Sequence, residues 1–259
     1  MTLFGRIFKS TIGRKFLMAV TGVVLVGFVV GHLIGNLQVF EDPDKINGYA
    51  HFLQSLGPTL WAVRTVLFAC VVIHIWAATT LAIEDRRSRG PESYRVNTWI
   101  QASISSRYMR WTGYIVLAFI AYHLAQFTLG TVQTDTFKTN IPHYTMVHDY
   151  RILGFTVVRA GTEVLDVHSM VIRGFQSGVV AGFYIIAVGL LSLHLLHGAD
   201  SLFQTFGWRN ERWVRGLRAV VTLGCAIYFL GNLAIPGAVL AGKLEPRLPP
   251  APMAAVSRP

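Results

Sequence analysis

The chain has 259 residues, 53% hydrophobic and only 14% charged, with a formal net charge of +10. A soluble domain carries about 25% charged residues, so this composition excludes an ordinary soluble fold. The basic residues collect beside apolar runs, which excludes a nucleic-acid surface and points to a multi-pass membrane protein ordered by the positive-inside rule.

The N-terminus is basic, with Arg6, Lys9, Arg14 and Lys15, and an apolar run over residues 16–37 gives the first predicted span. That run ends in GHLIGN rather than at a small-residue cleavage site, so it reads as a retained helix and not a signal peptide. It carries His32 beside Gly27, Gly31 and Gly35, which suit either close approach of a flat group or ordinary small-residue helix packing. A short acidic loop follows, with Glu41, Asp42 and Asp44 against Lys45. The second predicted span, residues 60–83, holds Arg64 near its start and His74 late in its course. Arg86, Arg87, Arg89, Arg95, Arg107 and Arg110 then lead to a third span at 109–129, with His123.

Residues 131–173 form a long segment with no span of its own, and the stretch DYRILGFTVVRAGTEVLDVHSMV predicts short interfacial helices there. The fourth span, 174–198, holds His194 and His197. Arg209, Arg212, Arg215 and Arg218 precede the fifth, 217–240, which has no histidine. Cys70 and Cys225 lie inside apolar runs. There is neither CxxCH for covalent haem attachment nor CxxC for an iron–sulfur cluster. The expected fold is all-α: one five-helix transmembrane domain over residues 1–241, N-terminus cytoplasmic and C-terminus outside, then a Pro-rich tail at 242–259. No internal repeat is strong enough to argue from.

Four consecutive spans thus carry an intramembrane histidine, and ionisable groups at that depth are functional by default. Each residue of helix advances about 1.5 Å. With alternating span directions, His32 and His123 fall in the outer half of the membrane, and His74 and His194 in the inner half. Two facing imidazoles can fill both axial positions of a haem iron, an arrangement suited to electron transfer. Two such pairs would make a two-haem path between the faces. A proton relay would mix carboxylates into the spans, and a zinc site would gather its ligands at one depth. Spacing alone leaves His194 and His197 as equal candidates, because three residues apart they share a helix face. Arg64 is a candidate partner for a haem propionate, or else an interfacial arginine with its charge drawn toward water.

The segments GHLIGN, INGYAHFLQSLG, VVIHIWAA, AYHLAQF and DVHSMVIRGFQSGVVAGFYIIAVGLLSLHLLHGADSLFQTFGW together span about residues 10–235. They resemble the single-subunit, five-helix, two-haem cytochrome b anchor of succinate dehydrogenase and fumarate reductase (succinate:quinone oxidoreductase, complex II of the tricarboxylic acid cycle). The resemblance selects His194 over His197. It implies a proximal haem b on His74 and His194 and a distal haem b on His32 and His123. It also implies a flavoprotein subunit that oxidises succinate, an iron–sulfur subunit that delivers electrons, and a quinone, usually menaquinone, as acceptor. On this reading the chain is the quinone-reducing subunit of the enzyme in the inner membrane of a prokaryote, within a complex that can oligomerise further. The arginine-rich loops would be docking surface for the iron–sulfur subunit.

A quinone needs an apolar slot and a few polar groups. The candidates are Glu41, Asp42, His51 and Gln54, all between the first two spans. The competing readings are a haem-free structural anchor, a cytochrome b of a hydrogenase or formate dehydrogenase, and a transporter. The last is disfavoured by spans without central charges or Gly/Pro breaks.

Overall fold

A computed structural model describes residues 3–88, 104–208 and 210–246. Eight α-helices occur among them: α1 (Leu3–Lys9), α2 (Thr11–Leu37), α3 (Pro43–Ser55), α4 (Pro58–Ser88), α5 (Ile104–Leu124), α6 (Val167–Phe175), α7 (Gly178–Thr205) and α8 (Val214–Leu240). Five are long and apolar enough to cross a membrane, over Thr11–Phe40, Pro58–Ser88, Arg107–Leu129, Gly178–Thr205 and Val214–Leu240. Their surfaces show why: Trp61, Phe68, Val179, Ile186, Val220 and Leu223 all project outward, as side chains do where lipid rather than a protein core receives them. The arginines Arg89, Arg95 and Arg209 and the tail from residue 247 lie outside the described residues.

The chain divides into two compact units. The first comprises Met1–Ile34, Leu56–Leu117 and Ala187–Gly231. Within it, Arg14 is buried and reaches Glu84 at 2.6 Å, and Arg218 meets Asp200 at 3.3 Å. Leu33 packs against the backbone of Gly231, where a Cβ would lie 3.1 Å from it.

The second unit comprises Gly35–Ser55, Ala118–Ile186 and Asn232–Pro259. Helix α3 begins on Asp42, whose Oδ1 accepts the Asp44 N–H at 3.0 Å, with Pro43 at the first helical position, where a missing N–H costs nothing. The long segment after α5 is not helical as expected. It forms two small antiparallel pairs, β1 (Tyr144–Thr145) with β4 (Glu163–Val164), and β2 (Tyr150–Ile152) with β3 (Phe155–Val158). The reason is local. Leu153 and Gly154 take φ of 49° and 87°, which makes a two-residue hairpin turn, and the FTVV that follows is aromatic and β-branched. Only the last part of the expected interfacial stretch is helical, as α6. That helix ends at Phe175, so residues 174–177 do not open the fourth span, which starts at Gly178.

The strands close over α3. Tyr144, Met146, Tyr150, Val158 and Val164 form one core, with Tyr49 and Ile152 packed against it. Asp44, buried beneath them, accepts four hydrogen bonds: from the Tyr144 hydroxyl at 2.9 Å, the Val147 N–H at 2.9 Å, and the His148 N–H and Nδ1 at 2.7 and 3.0 Å. Burial alone would push its carboxyl up. These donors outweigh burial and hold it below the usual carboxylate range. Asn47 bridges to α6, donating to Asp166 at 3.3 Å and accepting the His168 N–H at 2.9 Å, while Asp166 caps α6 by accepting from Ser169.

Gly48 sits where α3 meets β2. A Cβ there would stand 2.5 Å from the Cβ of Tyr150, an atom too close to the backbone to move aside. Gly48→Ala is expected to destabilise this unit by about 2 kcal/mol, read as faster cleavage of the 131–173 segment in limited proteolysis.

Candidate functional site

The first unit brings together two of the four intramembrane histidines. His74 lies on α4 and His194 on α7, and their ring centroids are 6.5 Å apart with the planes tilted by 60°. Trans ligation of one iron by two imidazoles, with metal–nitrogen bonds of about 2.0 Å, sets ring centroids about 6 Å apart. The donor set and its spacing therefore fit a bis-imidazole iron. His197 is the next polar residue along α7, but the ring that meets His74 belongs to His194; His197 stands near Asp200 instead.

Each ring is held from behind by a neighbouring helix. The Nδ1 of His74 lies 3.2 Å from the Thr21 hydroxyl of α2, and the Nδ1 of His194 lies 3.3 Å from the Thr112 hydroxyl of α5. The residue after each threonine is glycine. A Cβ on Gly22 would come 3.6 Å from Cε1 of His74, and one on Gly113 would come 3.4 Å from Cε1 of His194. Any larger side chain at either position would enter the space beside the ring edge, so the helix backbones form a cradle there.

In the second unit, His123 sits near the end of α5, just before a π-helical turn at Ala125–Leu129. Such turns re-aim side chains and occur often at functional sites. The Tyr184 hydroxyl stands 3.4 Å from the Nδ1 of His123 and donates to Oε1 of the buried Gln126 at 2.7 Å. Gln126 in turn donates to Gln133. Phe119, Phe127 and Phe175 surround Tyr184. His32, on α2 in the first unit, is stacked on Phe28 at 5.4 Å.

The glycine stripe of α2 does not act as one surface. Gly27 and Gly31 face open space, whereas Gly35 receives the Tyr49 ring, with Cε1 2.6 Å from where its Cβ would be. Helix packing accounts for the last of the three.

The sequence candidates for a quinone site lie apart in role. Asp42 caps α3. Glu41 and Gln54 are exposed, and His51 is half-buried on α3. Arg64 is exposed, its guanidinium over the Trp61 ring at 5.1 Å, as suits an interfacial arginine. Among the described residues, Asp42, Asp44 and His148 place ligand atoms within 4.8 Å of one another. The Asp44 carboxylate is already engaged by four donors, so this group ties the outer segment down.

Sequence reasoning passed over Thr21, Thr112, Tyr184, Gln126 and Asp44. Small polar residues in or beside apolar runs carry little signal until a partner is seen.

Over 193 residues the chain is 25% identical to the succinate dehydrogenase cytochrome b558 subunit of Bacillus subtilis (strain 168), covering 74% of this chain and 78% of that protein. The chain is similar to a cytochrome b. No protein-family description and no solved structure matches it.

Proposed function

We propose that this chain is the membrane anchor and electron-transfer subunit of a succinate:quinone oxidoreductase. It receives electrons from an iron–sulfur subunit and passes them through two b haems to a quinone, menaquinone in this type of anchor. The observation that carries the reading is the His74–His194 pair: two imidazoles on separate membrane helices at bis-ligand spacing, in a chain similar to a cytochrome b subunit of succinate dehydrogenase. His74 and His194 would hold one haem, and His32 and His123 the other. A bound haem supplies a one-electron carrier with both axial positions filled, which favours electron transfer over ligand chemistry at the iron.

This chain's own residues orient the imidazoles and keep their surroundings apolar. Succinate oxidation belongs to a partner flavoprotein, and the complex sits in the inner membrane of a prokaryote with the N-terminus cytoplasmic. The His197 imidazole is a neighbour and not a ligand. Arg64 is the candidate for a propionate, which its side chain would reach by leaving Trp61, and His51, in the GYAHFLQSL segment, is the first of the quinone candidates.

The test is a haem count on the purified complex, by reduced-minus-oxidised spectrum against protein, with co-purifying subunits identified. Two b haems per chain with a flavoprotein and an iron–sulfur protein are expected. Well-folded protein without haem would overturn the reading. Two haems with hydrogenase or formate dehydrogenase subunits would keep the cytochrome and change the enzyme.

A further inference from the structure

We infer that Thr21 and Thr112 are positioning residues that fix the tautomer and orientation of His74 and His194, as the two copies of one repeated helix motif. The inference rests on the proposed haem reading and deepens it.

A threonine hydroxyl has one proton. That of Thr21 goes to the carbonyls of the preceding turn, Leu17 at 2.8 Å and Met18 at 3.1 Å. That of Thr112 goes to the Met109 carbonyl at 2.9 Å. Each hydroxyl oxygen can then only accept from the imidazole beside it. Nδ1 therefore carries the hydrogen on both rings. The lone pair is left on Nε2, the nitrogen a metal would need.

The two arrangements are equivalent in sequence as well as in geometry. Residues 18–32 read MAVTGVVLVGFVVGH and residues 109–123 read MRWTGYIVLAFIAYH. Aligned without a gap, they share Met18/Met109, Thr21/Thr112, Gly22/Gly113, Phe28/Phe119 and His32/His123. Each shared residue has a matching task. The methionine carbonyl accepts the threonine hydroxyl proton, the threonine oxygen faces Nδ1 of a histidine on another helix, and the glycine lies beside that ring. The phenylalanine contacts the motif's own histidine four residues on, Phe28 on His32 at 5.4 Å and Phe119 on His123 at 5.9 Å. Threonine and histidine are eleven residues apart, three helical turns, so they share a face. Each copy thus presents an acceptor for one histidine pair and a ligand for the other.

Hydrogen bonding at the distal ring nitrogen of a metal-bound imidazole raises its basicity and fixes its orientation. A more basic ligand favours ferric over ferrous iron, so removing the acceptor should raise the midpoint potential of that haem. The experiment uses the purified complex. Thr21→Val and Thr112→Val are compared with Thr21→Ser and Thr112→Ser by spectroscopic redox titration and low-temperature electron paramagnetic resonance. The valine variants should shift the ferric/ferrous ratio of one haem about tenfold toward ferrous, about 59 mV for a one-electron couple. Its resonance anisotropy should change, while the other haem stays as in the wild type. Serine should restore both.

Two haems with unchanged midpoints and spectra in both valine variants would overturn the inference and leave the haem reading intact. A haem-free wild-type complex would overturn both. If valine fails to accumulate, Thr→Ala is read in the same way. Failure of alanine as well, with serine normal in amount, would show that the hydroxyls serve folding, and the inference falls.

Discussion

With two haems held as proposed, His194→Ala is expected to remove one of them while His197→Ala removes none. The His194 ring meets His74 at a centroid distance of 6.5 Å, and its Nδ1 is held by Thr112; His197 has neither relation. His194 and His74 would hold one haem between them, so loss of either ring should release it and leave about half the wild-type haem per chain. His74→Ala should give the same result, because the two rings would serve one iron. The surviving haem should keep its midpoint, and electron entry from the iron–sulfur partner should fall with the lost one. Haem per chain measured on purified complex decides it. If His197→Ala loses a haem and His194→Ala does not, the assignment within α7 is reversed.

The second large effect concerns Asp44. Replacing it with alanine leaves Tyr144, Val147 and His148 without their shared acceptor, and the Tyr144 hydroxyl is left buried without it. The expected cost is about 3 kcal/mol of stability for the outer segment, read as loss of amide-exchange protection over residues 131–173. The same carboxylate makes that segment acid-labile. Its folded pKa lies below its ordinary value, so protons bind the unfolded chain first. Its stabilising contribution is complete above the unfolded value of about 3.9 and is lost as pH falls from there through the lowered folded value. Asp44→Asn, which cannot titrate, should show a flatter loss of protection over that acid range. An identical acid profile in the two proteins would assign the lability to another group.

The five spans were legible because nothing but length and apolarity is needed to define them, and all five occur as helices. The histidines were legible for a related reason: an imidazole in hydrocarbon is costly, so four of them stand out against such runs. Other features failed for opposite reasons. The hairpin at residues 150–158 depends on a turn with positive φ at Leu153, a residue that does not advertise one. The boundary of the fourth span was misplaced because Gly174 continues an apolar pattern. In space that glycine ends α6 against Gln126 and Phe127, each about 3 Å from where a Cβ would be.

The sequence by itself determined the membrane class, the number of spans and the set of ring nitrogens available to a metal, since hydropathy and side-chain chemistry are properties of residues one at a time. Tertiary structure decided which histidine of α7 meets His74, which threonines stand behind the two rings, and that Asp44 is a buried anchor and not a loop charge. Those are relations between residues as far apart in the chain as Thr112 and His194 or Asp44 and His148. Hydrogen bonds act over about 3 Å, so only the folding of the helices against one another can assign the partners.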